Sequence, residues 1–278
     1  MQITKIDYQN LIPVYKPVGK TPLECVEEYK SKHLIDQTTI VSYAGRLDPM
    51  AEGVLLLLVG GANKKRREYE HLSKEYEVRM IMGFATDTGD LMGKITKVQR
   101  TEYKVQSQEK LSMRATQGRS NLIHIDEIKK TLPSFVGLIE QKYPIYSSAK
   151  VQGKPLYWWA RQERLDEIVI PTHKVQIHKI ELIAEDEGIT NKELLQYIVD
   201  SVGSVQGDFR QDEIITMWKE VLGEENDLSN HSLFTLRISC GSGTYMRQLV
   251  ADMGDRLRIP LVAFKINRIK VGEFTRMQ

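Results

Sequence analysis

Apolar residues recur along the chain with two periods. In Lys74–Phe84, the residues Tyr76, Val78, Met80 and Met82 alternate with polar or smaller apolar ones, which predicts a strand with one buried face. Val54–Val59 is an unbroken apolar run closed by Gly60-Gly61, which predicts a fully buried strand. Leu11–Lys16 reads as a short strand running into a Lys-Pro-Val-Gly turn, and Lys174–Ile183, Ser232–Ser239 and residues 262–274 as three more. Helices are predicted where the spacing changes to 3.6. One opens at Thr21, with Pro22 in the first position and Glu24 completing a capping box. Asp126–Leu132 is a second, ending near Pro133. Thr244–Leu257 is a third, with Met246, Leu249, Val250, Met253 and Leu257 on one face. Residues 36–53 read as an irregular loop, residues 86–90 as turns, and residues 100–121 as a polar surface segment. Strands and helices without strict alternation predict an α+β fold.

A further helical pair interrupts this pattern. Leu194, Leu195, Ile198, Val199 and Val202 share one face, and Ile214, Ile215, Trp218, Val221 and Leu222 share another. Residues 203–208 form the turn between them. The stretch 184–231 therefore reads as a helical insertion between two strands.

Charge sets this stretch apart. The chain of 278 residues has a net charge of +2. Residues 1–183 carry 28 Lys and Arg against 22 Asp and Glu, residues 184–230 carry 3 against 12, and residues 231–278 carry 8 against 3. The parts are thus +6, −9 and +5. Without the acidic stretch the balance is +11, which suits a polyanionic partner or an ordinary solvated surface. Length alone allows one large domain or two ordinary ones. A charged fraction of 27% is globular and argues against wholesale disorder. The longest apolar run has six residues, against the ~20 that a membrane helix needs. The N-terminus has no apolar h-region. Cys25 and Cys240 form neither a CxxC nor a zinc pattern, and a reducing cytoplasm is the expected setting.

Three segments are candidates for chemistry. In Tyr43-Ala-Gly-Arg-Leu-Asp-Pro-Met-Ala-Glu-Gly53, Pro49 pushes Asp48 toward an extended backbone and glycines flank it. Such a loop can hold a carboxylate at a cleft, or be a plain Asx turn. Ser239-Cys-Gly-Ser-Gly-Thr-Tyr-Met-Arg247 opens a helix, which makes either an anion site or a simple cap. Arg247 lies in its first turn, against the helix dipole, so it faces solvent or pairs with a carboxylate or phosphate. Residues 143–161 interleave Tyr143, Tyr146, Tyr157, Trp158 and Trp159 with Lys150, Lys154 and Arg161. That composition suits base stacking with phosphate contacts, while at least one of the two tryptophans suits a core. Lys64-Lys65-Arg66-Arg67 is a basic run that either touches phosphates or is solvated.

Together and in order, these segments resemble the TruB family of tRNA pseudouridine synthases. The resemblance runs from Lys16-Pro-Val-Gly19 through Gly45-Arg-Leu-Asp-Pro-Met-Ala-Glu-Gly53, Lys74-Glu-Tyr76, and Gly83 with Thr86-Asp-Thr-Gly-Asp90. It continues through Phe135-Val-Gly with Gln141, Tyr146-Ser-Ser-Ala-Lys-Val-Gln-Gly to Arg161, Gly243-Thr-Tyr-Met-Arg247 with Asp252-Met-Gly254, and Arg268 with Gly272 and Phe274. Only residues 100–121 and 184–231 lack a match.

The resemblance implies a pseudouridine synthase fold, a mixed central sheet with flanking helices and an RNA-binding cleft, in a single catalytic domain over residues 1–278. It implies isomerisation of uridine to pseudouridine in tRNA, most directly the T-loop uridine 55, with RNA (the T-arm) as partner and neither metal nor organic cofactor. Asp48 falls at the catalytic aspartate, Tyr76 at the stacking tyrosine, and Arg247 at the arginine that pairs with the carboxylate. Lys16, Tyr43, Arg46, Tyr146, Lys150, Tyr157 and Ile266 fall among candidate substrate-binding positions. A synthase for another RNA uridine, or an RNA-binding or RNA-folding protein keeping the fold, are the alternatives. Three departures stand out. Tyr43 occupies the place of the family's loop histidine. The sequence ends four residues after Phe274, so the family's C-terminal PUA domain is expected to be missing. The acidic insertion has no family counterpart. It is expected to lie on the far side of the fold, to limit nonspecific RNA binding, or to contact a partner protein.

Overall fold

In the computed structural model, residues 10–36, 38–99, 125–223 and 230–276 are described; the 100–121 segment lies outside them. The centre is a nine-stranded mixed sheet. Its path is β1 (Leu11–Lys16), β3 (Ala51–Val59), β12 (Leu261–Val271), β4 (Lys74–Met82), β11 (Asn230–Cys240), β10 (Thr172–Thr190) and β7 (Gly137–Lys142). β2 (Val41–Ala44) pairs with β3, and β13 (Phe274–Thr275) with β12. Every pairing along the path is antiparallel except β3 with β12, which is parallel. At that junction Gly53 has φ +114°, and a Cβ there would lie 2.2 Å from the Arg268 carbonyl oxygen, so only glycine lets the strands approach.

The unbroken run in β3 is buried on both faces, as predicted. Leu56 and Leu58 join Leu11, Ala44 and Tyr69, while Leu55 and Leu57 join Cys25 and Val26 of α1 (Pro22–Lys32). Thr21 and Glu24 form the predicted capping box on α1. The alternation in β4 sends Tyr76, Val78, Met80 and Met82 into the largest cluster, beneath Leu249, Val250 and Met253 of α7 (Met246–Leu257). Ile81 points to the opposite face. Two expectations shift. Part of the expected 36–53 loop is the short strand β2, whose four residues carry no usable alternation, and β3 begins at Ala51. The last helix starts at Met246, because the preceding turn is held by other groups described below.

The acidic stretch is less helical at its ends than expected. β10 runs on to Thr190 and pairs with β11 out to Asn230, so the helices are only α5 (Asn191–Gly203) and α6 (Gln211–Leu222). They pack Leu194, Ile198, Val202, Ile214, Trp218 and Leu222 against Ile81, Leu233, Val262 and Phe264 on the sheet face opposite α7. Each fully buried side chain of this kind contributes about 1.5–3 kcal/mol, enough to fasten an acidic hairpin firmly.

Candidate active site

The loop between β2 and β3 brings Asp48 to a cavity of about 830 Å³. Its position is set from behind by two buried cations. The Lys16 ammonium, at the end of β1, donates to the carbonyls of Pro17 (2.9 Å), Lys20 (2.7 Å) and Pro49 (3.3 Å). The Arg268 guanidinium donates to the carbonyls of Val54 (2.8 Å), Arg46 (3.1 Å) and Gly45 (3.2 Å). Both side chains are fully buried. Buried cations survive only when their donors are satisfied, and here three of the six acceptors, Gly45, Arg46 and Pro49, are carbonyls of the Asp48 loop. Burial also lowers the Lys16 pKa to about 8.

Arg247 approaches Asp48 from α7. Its Nε donates to Asp48 Oδ2 at 2.7 Å, its Nη1 to the Thr88 carbonyl at 2.7 Å, and its Nη2 to the Tyr146 carbonyl at 3.4 Å. Asp90 Oδ2 lies 3.6 Å from the same Nε. The cation at the helix N-terminus is therefore paired with carboxylates, one of the arrangements its position allowed. Burial works against its charge, but Asp48 and Asp90 outweigh that and raise its pKa. Burial pushes the Asp90 carboxyl up, with Arg247 and the Thr88 hydroxyl opposing. The Arg247 side chain is 5% exposed, whereas that of Asp48 is 43% exposed. The carboxylate thus presents itself to the cavity while its partner stays dry. Gly89, at φ +78°, brings the 86–90 turn against the Arg247 backbone, where a Cβ would come within 2.9 Å of its carbonyl.

The start of α7 is held by Gln141 of β7. Its Nε2 donates to the Tyr245 carbonyl at 3.1 Å and its Oε1 accepts from the Tyr245 amide at 2.9 Å. Tyr245 packs edge-on against Tyr143 and His173, which stack on each other. Tyr76, from β4, is nearly buried at the cavity wall, and burial raises its pKa, with the Arg268 guanidinium against its hydroxyl.

Asp48, Tyr76 and Arg247 thus line one cavity, with Arg46, Tyr146, Tyr157 and Ile266. Three sequence candidates do not line it. Lys16 acts from beneath the loop. Tyr43 packs toward Cys25, Val26, Leu55 and Leu57, because β2 must cover that face of β3. Lys150 sits on the exposed hairpin β8 (Lys150–Val151) and β9 (Lys154–Pro155), outside the lining. In α4 (Leu156–Arg161), Trp159 is buried and Tyr157 is exposed into the cavity, which divides the aromatic segment between core and cleft. Of the basic run, Arg66 alone reaches the lining. Among the described residues no three or more His, Cys, Asp or Glu are placed to hold a metal ion, and no helix is long and apolar enough to cross a membrane.

Sequence reasoning missed some of this site. Asp90 and Arg268 lie inside quoted motifs, so a signal was present. Asp208, Phe209 and Arg210, at the turn of the acidic hairpin, also line the cavity. The helices of the insertion lie on the far face of the sheet, but this turn reaches the cavity, and it carries no motif.

Comparison with known proteins agrees with this construction. The N-terminal domain of the TruB family pseudouridylate synthases matches residues 32–199. The tRNA pseudouridine synthase B of Staphylococcus aureus strain MRSA252 is 30% identical over 267 residues, covering 96% of this chain and 68% of the relative. The strain bovine RF122 protein is 29% identical over the same length. Among solved structures, a chain of a Cbf5-Nop10-Gar1 complex aligns with a TM-score of 0.53 at 16% identity, covering 96% of this chain. A chain of an H/ACA ribonucleoprotein bound to a substrate RNA containing 2'-deoxyuridine aligns at 0.50 and 16%. This chain spans about half the length of each (50% and 49%), and the likeness is one of fold. With the family domain matched over most of the motif-bearing body, the chain belongs to the TruB family of pseudouridylate synthases.

Proposed function

We propose that this protein isomerises uridine to pseudouridine in tRNA, at the T-loop uridine 55. The observation that carries the reading is the Asp48–Arg247 pair, 2.7 Å apart, with one partner buried and the carboxylate open to a cavity walled by Tyr76. Detaching a base needs a fixed anion near C1′, as nucleophile or as stabiliser of a developing oxocarbenium ion. Arg247 keeps Asp48 in place, and Lys16 and Arg268 keep its loop rigid, so the anion is oriented before substrate arrives. The target base must leave its stack, at a cost of a few kcal/mol, and stacking on Tyr76 offsets part of this. Burial keeps the Tyr76 phenol neutral, which suits stacking and hydrogen bonding. The curated relatives named as tRNA pseudouridine synthase B support the tRNA assignment.

The test is position-resolved pseudouridine mapping of tRNA transcripts after incubation with the protein. Conversion at uridine 55 that disappears with Asp48→Asn is expected. Conversion elsewhere would replace the T-loop assignment, and no conversion in any tRNA would overturn the reading.

A further inference from the structure

The hairpin of α5 and α6 is anchored on the far face of the sheet, yet its turn forms part of the cavity around Asp48. Three fixings put it there. Arg210 donates from Nη1 to Asp87 Oδ2 at 2.7 Å, and its guanidinium lies 4.3 Å from the centre of the Tyr146 ring. Arg161 of α4 donates from Nη2 to the Asp208 carboxylate at 2.5 Å and to the Asp208 carbonyl at 2.8 Å. Gln211 accepts from the Phe209 amide at 2.8 Å and donates to the carbonyls of Val205 and Gly207. Arg210 holds a left-handed backbone, φ +67°, which a non-glycine residue adopts at a cost, and its side-chain contacts hold it there. Between the fixings, Phe209 is left 38% exposed in the cavity lining.

A large apolar ring held exposed on a pinned turn, beside a cleft for a flipped nucleotide, has the features of a stacking platform. The charge around it matters. The stretch 184–230 is −9 by sequence, and at the turn Asp208 pairs with Arg161, Arg210 with Asp87 and Glu213 with Lys94. Arg161 and Arg210 are thus each committed to a carboxylate, so the turn offers the RNA backbone little attraction. A ring in such an ion-paired setting favours the uncharged part of a nucleotide.

We infer that the turn Asp208-Phe209-Arg210 is a specificity wall of the RNA cleft, in which Phe209 stacks on an unpaired base next to the target uridine and Arg210 is the positioning residue that pins the turn to Asp87 and Tyr146. This rests on the proposed pseudouridine synthase reading. The wall selects loop nucleotides over duplex, because a paired base offers no free face to the ring.

The experiment is fluorescence titration of the full chain with a T-arm stem-loop and with a blunt duplex of the same stem, across a salt series, alongside uridine conversion. Phe209→Ala is expected to weaken stem-loop binding roughly tenfold, within the range for losing one base–aromatic stack. Duplex binding and the slope of affinity against salt stay as in the wild type, since no ionic contact is lost. Phe209→Trp keeps stem-loop binding and Phe209→Leu does not. Arg210→Gly suits the left-handed backbone, so it folds while losing the pin. Combined with Phe209→Ala it is expected to add nothing to the larger single loss. Unchanged stem-loop binding by Phe209→Ala, or equal loss on stem-loop and duplex, overturns the stacking role. Additive losses overturn the pinning role. A wild type that converts uridine while Phe209→Ala is indifferent refutes the wall and keeps the activity. A wild type that binds through Phe209 yet converts no uridine refutes the activity.

Discussion

Two regions of this protein reach the same cavity by different physics. The Asp48 loop is held from beneath by buried polar groups: the Lys16 and Arg268 donors on its carbonyls, and Arg247 on its carboxylate. The α5–α6 hairpin is held mainly by apolar contact, with Trp218 and Ile214 fully buried, and its turn is pinned by charge. The first kind of support demands particular residues, because each buried donor needs its acceptor. The second accepts many sequences of the right period and volume. This is why one region carries motifs and the other carries only a hydrophobic pattern.

Breaking each region should therefore produce a different loss. The largest effect is expected from Asp48→Asn, which should lower single-turnover pseudouridine formation at least about 1000-fold with RNA affinity nearly unchanged; activity close to wild type would remove Asp48 from the chemistry. Next come the two cores. Trp218→Ala in the hairpin cluster should cost about 3–5 kcal/mol, and Leu249→Ala under α7 about 2–5 kcal/mol, read by denaturant unfolding. If the hairpin change cost almost nothing, the hairpin would be an appendage rather than part of the folded body. Smaller still are the helix caps. Thr21→Ala and Thr190→Ala each remove a capping box and should each cost about 1 kcal/mol. Comparable melting-temperature losses with unchanged activity are expected, since neither cap touches the cavity.

The last effect concerns pH. Burial lowers the Lys16 pKa from its ordinary 10.5 to about 8. Between those values the unfolded chain binds more protons than the folded one, so this group's contribution to stability rises with pH across that window. Wild type should gain stability relative to Lys16→Met between pH 8 and 10.5. A constant difference between the two would show that Lys16 does not titrate there.

Much of this architecture is written locally. The Thr21–Glu24 box, the alternation of Tyr76 to Met82 and the apolar run of β3 each depend on neighbours within a few residues, so period and capping rules find them. The motif order also pointed to Asp48, Tyr76 and Arg247, which line one cavity. Other readings depended on direction rather than identity. Tyr43 lies in a loop motif, but the β2 pairing turns its ring toward α1. Lys150 lies in an aromatic and basic segment, but a short hairpin carries it outside the lining.

The sequence by itself determined the periods, the caps and the strand and helix types, because these follow from local sterics and from residue chemistry, and its motif order, through the family resemblance, singled out Asp48, Tyr76 and Arg247. Only the tertiary structure decided what meets what. Asp48 and Arg247 are 199 positions apart, and Arg210 and Asp87 are 123 apart. No local rule encodes such distances, which come from the parallel β3–β12 junction and from how far β10 and β11 run before the hairpin turns back. The acidic stretch shows this most plainly. Its charge is legible from composition, but charge does not say where a turn lies. Burial of its apolar faces on the sheet does, and that packing sets Phe209 and Arg210 at the wall of the cleft.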